Sequence, residues 1–137
     1  MSHTSRPRVL FVDDQAPIRL FAKFALDELD IDLVICESVA EARQRLRESP
    51  AALIITDLMM PVESGFDLLR ELSEVPSLRA GAVQVVLSAA LSAGETQRQL
   101  RQFDIWRALD KPISVSELEA CVTQALAHLA ARPAAAG

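Results

Sequence analysis

The sequence predicts an α/β protein of one domain, a (βα)5 doubly wound sheet in which five parallel strands alternate with five helices. Two observations carry this prediction. Short runs of apolar or β-branched residues, Val9-Leu10-Phe11-Val12 and Leu53-Ile54-Ile55-Thr56, suit strands buried on both faces. Between such runs the apolar residues recur at three- and four-residue steps, as on helices that cover a sheet. Mostly short connections then favour a parallel sheet with right-handed crossovers and helices on both faces.

The first strand, Val9 to Val12, ends on Asp13-Asp14. From Gln15 the period changes, and Ile18, Phe21, Ala22, Ala25, Leu26 and Leu29 fall on one helical face, with Pro17 tolerated in the first turn. Asp32-Leu33-Val34-Ile35-Cys36 reads as the second strand. Ser38 caps a helix with Val39, Ala42 and Leu46 inward and Glu41 and Arg45 paired at four residues' spacing, and Pro50 ends it. The third strand stops on Asp57, after which Pro61 and Gly65 turn the chain. A helix from Ser64 to about Val75 presents Phe66, Leu69 and Leu72 inward, and Pro76 stops it. Ala82 to Leu87 forms strand four, followed by Ser88. Residues 93 to 103 are polar apart from a thin stripe of Thr96, Leu100 and Phe103, so a fourth helix there is expected to be the least stable element. Ile105 to Leu109 is a short fifth strand that leaves through Asp110-Lys111-Pro112. Ser114 or Ser116 caps the last helix, with a stripe of Leu118, Val122, Ala125 and Leu129. No internal repeat or second domain is visible.

The 137 residues suit a single core, and half of them are apolar, which argues against disorder. A net charge of −5 speaks against direct nucleic-acid binding, which needs a basic face. No apolar segment follows Arg6 as in a secretion signal, and no run approaches the roughly 18 residues of a membrane helix. The expectation is a soluble cytoplasmic protein with no membrane contact, a monomer or weak homodimer. Cys36 and Cys121 lack metal-ligand spacing and a nearby histidine, so they read as buried free thiols.

Function concentrates at the strand ends. In sheets of this kind ligands collect beyond the carboxyl ends of the strands, and this topology brings Asp13, Asp14, Asp57, Ser88 and Lys111 to that edge. Three carboxylates held together call for a divalent cation, and oxygen donors alone select a hard one, Mg²⁺ or Mn²⁺ in its place. With an ammonium and a hydroxyl added, the set resembles one that holds a phosphoryl group. A carboxylate can itself serve as the nucleophile, and Asp57, on the central strand, is the better candidate, while Asp13-Asp14 hold the metal. Each residue also has an ordinary structural reading, and the adjacent acids could form an Asx-type cap of the first helix, with Asp14 doing both jobs.

At these residues the chain resembles the receiver domain of bacterial two-component response regulators, of the chemotaxis-regulator kind. The resemblance spans about residues 8 to 130. It rests on Asp13-Asp14, Asp57-Leu-Met-Met-Pro with Gly65, Ser88-Ala89 and Lys111-Pro112, each after its strand. It implies a flavodoxin-like order of strands, 2-1-3-4-5, which spacing does not give. The domain is then 8–131, between a tail of 1–7 and a tail or linker start at 132–137. The resemblance implies that Asp57 takes a phosphoryl group from a phosphohistidine of a sensor histidine kinase or histidine phosphotransfer protein, or from a small phosphodonor. It implies Mg²⁺ contacts from Asp14, Asp57 and the backbone carbonyl of Met59, with Asp13 acting mainly through water. Ser88, beside Ala89, and Lys111 would each bind a phosphoryl oxygen. Such a domain is a signalling phosphoacceptor rather than an enzyme, although it assists its own phosphorylation and dephosphorylation. Its state is read by a partner or by an effector domain outside this chain.

The chain departs from the family pattern at Ala108, three residues before Lys111, where receivers carry an aromatic that swings inward on phosphorylation. Trp106 has the wrong offset to replace it, but lies near the surface formed by the fourth helix, fifth strand and last helix, a candidate output surface. The change of state is expected to pass through the loop after Ser88 and the fourth helix. A further feature is the row of Pro17, Leu20 and Phe24 opposite the inner stripe of the first helix, an apolar row where a solvated face should be polar. It is the expected docking site for the donor. Two other functions compete: a degenerate receiver kept as an interaction scaffold, and a small phosphatase with an aspartyl nucleophile. The phosphatase reading lacks the second acid two residues after the nucleophile, where Met59 stands.

Overall fold

The computed structural model describes residues 6–132, so residues 1–5 and 133–137 of the two expected tails lie outside it. The elements run β1 (Arg8–Val12), α1 (Ala16–Ala25), β2 (Asp32–Cys36), α2 (Val39–Glu48), β3 (Leu53–Asp57), α3 (Gly65–Glu74), α4 (Pro76–Arg79), β4 (Val83–Ser88), α5 (Gly94–Leu100), β5 (Arg107–Asp110) and α6 (Val115–Ala130). The strands form one parallel sheet in the order β2-β1-β3-β4-β5, as the family resemblance implied.

Alternation along the buried strands divides the core into layers. Val9 and Phe11 of β1 align with Leu53 and Ile55 of β3, and these with Val83 and Val85 of β4. All six face one layer with Ala22 and Ala25 of α1 and Leu118, Val122 and Ala125 of α6. Leu10, Val12 and Ile54 point the other way, onto Val39, Ala42 and Leu46 of α2 and Leu68 and Leu72 of α3. A smaller cluster joins Leu58, Leu69, Val86 and Leu91, with Leu100 and Phe103 of the α5 region half-buried against it. Both faces of β1, β3 and β4 are therefore covered, which is why these strands read as unbroken apolar runs.

Several local expectations need correction. Among the described residues there are six helices, because Pro76 opens a short turn, α4, instead of only ending α3; its fixed φ and missing N–H suit a first helical position. Helix α1 closes at Ala25, so Leu29 packs on the core from the loop beyond it. In α3, Leu68 joins Leu69 and Leu72 in full burial, while Phe66 is half-buried. Helix α5 has only Thr96 buried and stops at Leu100. Strand β5 begins at Arg107 rather than Ile105; Trp106 precedes it and donates its N–H to the Gln84 carbonyl at 2.8 Å. Glu41 turns back to accept the Glu37 N–H at 2.7 Å, and Arg45 pairs with Glu48, so the expected Glu41–Arg45 pair does not form. Of the two serines, Ser114 caps α6 in a reciprocal arrangement with Glu117. Cys36 and Cys121 are free and buried, as expected. Among the described residues no helix is long and apolar enough to cross a membrane.

Candidate functional site

Parallel strands bring their carboxyl ends to one edge of the sheet. Asp13 and Asp14 follow β1, Asp57 is the last residue of β3, Ser88 the last of β4, and Lys111 follows β5. The ladder continues past the strands and fixes the loops: the Asp13 N–H donates to the Cys36 carbonyl at 3.1 Å and the Lys111 N–H to the Ser88 carbonyl at 3.0 Å. The Thr56 hydroxyl, fully buried, donates to the Asp57 carbonyl at 2.9 Å.

The side chains converge. Lys111 Nζ lies 2.8 Å from Asp13 Oδ2 and 3.3 Å from Asp57 Oδ2. One oxygen from each of Asp13, Asp14 and Asp57 falls within 4.8 Å of the others. Asp13 is fully buried and occupied on all sides: Oδ1 accepts the Gln15 N–H at 2.9 Å and its carbonyl accepts Arg19 Nη1 at 3.1 Å. The Asx-type turn before α1 is thus made by Asp13, not Asp14. Asp14 is half-buried, and among the described residues its carboxylate has no hydrogen-bond or ion-pair partner. Asp57 Oδ1 accepts the Met59 N–H at 3.3 Å.

Burial, then the charge of Asp13, pushes the Asp57 carboxyl above its ordinary range, against the pull of Lys111 and the Met59 N–H. Burial acts the other way on Lys111, but its bonds to Asp13 and Asp57 and their charges together outweigh it, and the ammonium is held above its ordinary value. Three carboxylates beside one ammonium leave a local charge of about −2, which one divalent ion balances. One oxygen from each of the three acids lies within 4.8 Å of the others, so all three are close enough to serve one ion. The donor set and its spacing fit a hard divalent cation.

The other expected residues make no side-chain hydrogen bond to this cluster among the described residues. Ser88 is fully buried and its hydroxyl oxygen accepts the Ala90 N–H at 3.0 Å, turned onto its own loop. Ala89 beside it and Ala108 on β5 are exposed. Trp106 is half-buried, with the Arg107 guanidinium 4.2 Å over its ring and His128 of α6 at 5.5 Å between centroids. On α1, Leu20 and Phe24 are 69% and 76% exposed, and Pro17 is exposed.

Sequence reasoning missed Arg19, whose bond to the Asp13 carbonyl steadies the acidic turn, and Arg43. The latter reaches from α2 to Glu63 (2.7 and 3.3 Å) and Glu71 (2.7 Å), and so clamps the connection that leaves Asp57. Nothing in local spacing pairs residues 20 and 28 positions apart. Gly65 closes the same connection: its N–H donates to the Leu58 carbonyl at 2.9 Å, and a Cβ there would lie 2.2 Å from the Asp57 carbonyl oxygen.

A doubly wound sheet of this order defines a flavodoxin-like domain, here with an acidic cluster and a lysine at its carboxyl edge. Over residues 9–123 the chain matches the family model of the response regulator receiver domain. The chain belongs to that family, the receiver domains of two-component signalling. It is 30% identical over 122 residues to the response regulator protein PilR of Pseudomonas aeruginosa, covering 89% of this chain and 26% of PilR. It is 28% identical over 123 residues to the probable chemotaxis protein CheY of Rhizobium etli, covering 89% of this chain and 94% of that protein. Among solved structures, the receiver domain of the Francisella response regulator 1452 superposes with a TM-score of 0.77 at 28% identity, over 89% of this chain and 98% of that one. The chain thus spans about a quarter of PilR and nearly all of the single-domain relative.

Proposed function

We propose that residues 8–131 act as a phosphoryl-accepting switch in which Asp57 is the acceptor. A carboxylate oxygen of Asp57 attacks the phosphorus of a phosphohistidine, the P–N bond breaks, and the nitrogen's electron pair takes up a proton as imidazole leaves. Lys111 already pairs with Asp13 and Asp57, and it can shift to a phosphoryl oxygen once the acyl phosphate forms. Ser88 takes another oxygen by giving up its bond with the Ala90 N–H. Asp14, Asp57 and the Met59 carbonyl would hold Mg²⁺, or Mn²⁺ in its place, with Asp13 in support through water; when bound, the ion offsets charge on the transferring oxygens. Asp14, with its carboxylate free, is ready for direct contact, whereas Asp13 is already committed to Lys111 and Gln15.

The donor is a sensor histidine kinase or a histidine phosphotransfer protein in the cytoplasm, docked against Pro17, Leu20 and Phe24. With Ala108 in place of an aromatic, the charged state is read through residues 89 to 103 and the surface around Trp106, by a partner or by an effector outside this chain. The observation that carries this reading is the ammonium of Lys111 set between Asp13 and Asp57, with Asp14 free beside them. Incubation with acetyl phosphate and Mg²⁺, followed by intact mass, should add one phosphoryl group to the wild type and none to Asp57→Asn. An unmodified wild type would leave the domain as a scaffold without phosphoryl chemistry.

A further inference from the structure

The chain between Asp57 and α3 does little to hold its own shape. Among the described residues, no backbone–backbone hydrogen bond involves residues 59–63; the turn is closed outside them, by the bond from the Gly65 N–H to the Leu58 carbonyl. Met59 and Val62 are exposed, and only Met60 packs, half-buried, against the layer of α2 and α3. Val62 lies at a φ of 70°, left-handed backbone in which a β-branched side chain crowds its own main chain. A conformation that is costly by itself is held by contacts made elsewhere.

Two side chains from outside this stretch hydrogen-bond to it. Asp57 accepts the Met59 N–H at 3.3 Å, with a carboxylate that also pairs with Lys111. The other is Arg43, in the middle of α2. Its Nη2 and Nη1 meet the Glu63 carboxylate at 2.7 and 3.3 Å, while Nε meets Glu71 of α3 at 2.7 Å. The Arg43 side chain is 20% exposed, so these charge-assisted bonds are partly shielded from water. One guanidinium thereby ties the loop to two helices, and its planar fork is what allows both arms at once.

We infer that Arg43 is a positioning residue for the cation: through Glu63 it keeps the loop in the strained shape that sets the Met59 carbonyl toward the acidic cluster, so that a side chain of α2 fixes how tightly the site binds Mg²⁺. The inference rests on the reading that Asp14, Asp57 and the Met59 carbonyl hold the ion, and adds what holds the carbonyl. Glu71 braces the guanidinium against α3 and acts on stability alone.

The test measures Mg²⁺ affinity by titration calorimetry and stability by urea unfolding in Arg43→Gln, Glu63→Gln and Glu71→Gln. The two glutamate variants remove the same charge, one from the loop arm and one from the helix arm. Arg43→Gln leaves the surroundings more negative, and charge alone would tighten a divalent cation there. All three should unfold at lower urea than the wild type. Arg43→Gln and Glu63→Gln should nevertheless bind Mg²⁺ roughly threefold or more weakly, with Glu71→Gln within about twofold of the wild type. In the two weakened variants, saturating Mg²⁺ should restore the rate of labelling by acetyl phosphate. Without metal, hydrogen exchange at the Met59 amide should be faster in Arg43→Gln than in Glu71→Gln. Unchanged or tighter Mg²⁺ binding in Arg43→Gln would overturn the inference, as would equal losses in Glu63→Gln and Glu71→Gln, a labelling rate that stays low at saturating Mg²⁺, or equal Met59 exchange in the two variants. A wild type that binds no Mg²⁺ would overturn the cation reading first, and this inference with it.

Discussion

Replacing Gly65 by alanine puts a methyl carbon 2.2 Å from the Asp57 carbonyl oxygen and 2.8 Å from Leu58 Cα, both backbone atoms that cannot rotate aside. Either the start of α3 or the end of β3 must retreat by roughly 1 Å to restore van der Waals distance. Overpacking of this kind costs about 1–3 kcal/mol. The retreat also stretches the hydrogen bond from the Gly65 N–H to the Leu58 carbonyl, worth about 0.5–1.5 kcal/mol. Against this, alanine is favoured over glycine in a helix by up to about 1 kcal/mol. The net expectation is a loss of about 2 kcal/mol, or roughly 1 M in urea midpoint for a slope near 2 kcal/mol/M. Far-UV circular dichroism in a urea series reads it directly. Gly81→Ala is the comparison: nothing lies within 4 Å of the added carbon, and its φ of +76° alone costs about 1 kcal/mol. A midpoint for Gly65→Ala at or above that of the wild type would refute the close crossing of α3 over β3, and with it the account of how Asp57 is fixed in place.

Three further outcomes follow from the same structure. Without added metal, Asp57→Asn should raise the melting temperature at pH 7: a carboxyl whose folded pKa is raised favours folding below its unfolded value, near 3.9, and loses that contribution as pH rises through the folded value, so the gain should shrink on acidification and vanish below pH 4; millimolar Mg²⁺ should stabilise the wild type more than the variant. Burial, reinforced by Glu41, pushes the Cys36 thiol up to about 12, and burial raises that of Cys121, so a thiol reagent at pH 8 should titrate neither in the folded chain and both in urea; fast labelling of either in the native state would contradict the packing. Ser64→Ala removes one half of the capping box of α3 and should cost about 1 kcal/mol in urea unfolding. Its partner Asp67 has a lowered pKa, chiefly from the Ser64 N–H, so its contribution is present above pH 4 and lost as pH falls through the folded value; stability unchanged between pH 5 and 2 would argue against that bond.

The strands and the acids that end them were legible because burial on both faces writes unbroken apolar runs, and a single charge at the end of such a run stands out. Parallel topology was enough to put Asp13, Asp57 and Lys111 on one edge of the sheet, while their contacts depend on the strand order, which came from the family resemblance. What escaped was set by tertiary contacts. Strand β5 starts late because its ladder is fixed by Gln84 of β4, not by the apolar character of Ile105. Glu41, in the first turn of α2, accepts the N–H of Glu37 just before the Ser38 cap, while Arg45, in the last turn, pairs with Glu48. Ser88 could be placed at the site, but the rotation of its hydroxyl onto Ala90 could not.

The stack of Arg107, Trp106 and His128 has a practical side. The sequence contains one tryptophan and no tyrosine, so excitation near 295 nm, the tryptophan band, addresses a single indole at the seam between β5 and α6. Its emission colour and quenching will report on that seam alone, and phosphorylation or partner binding that disturbs this corner can be followed optically in the unlabelled protein.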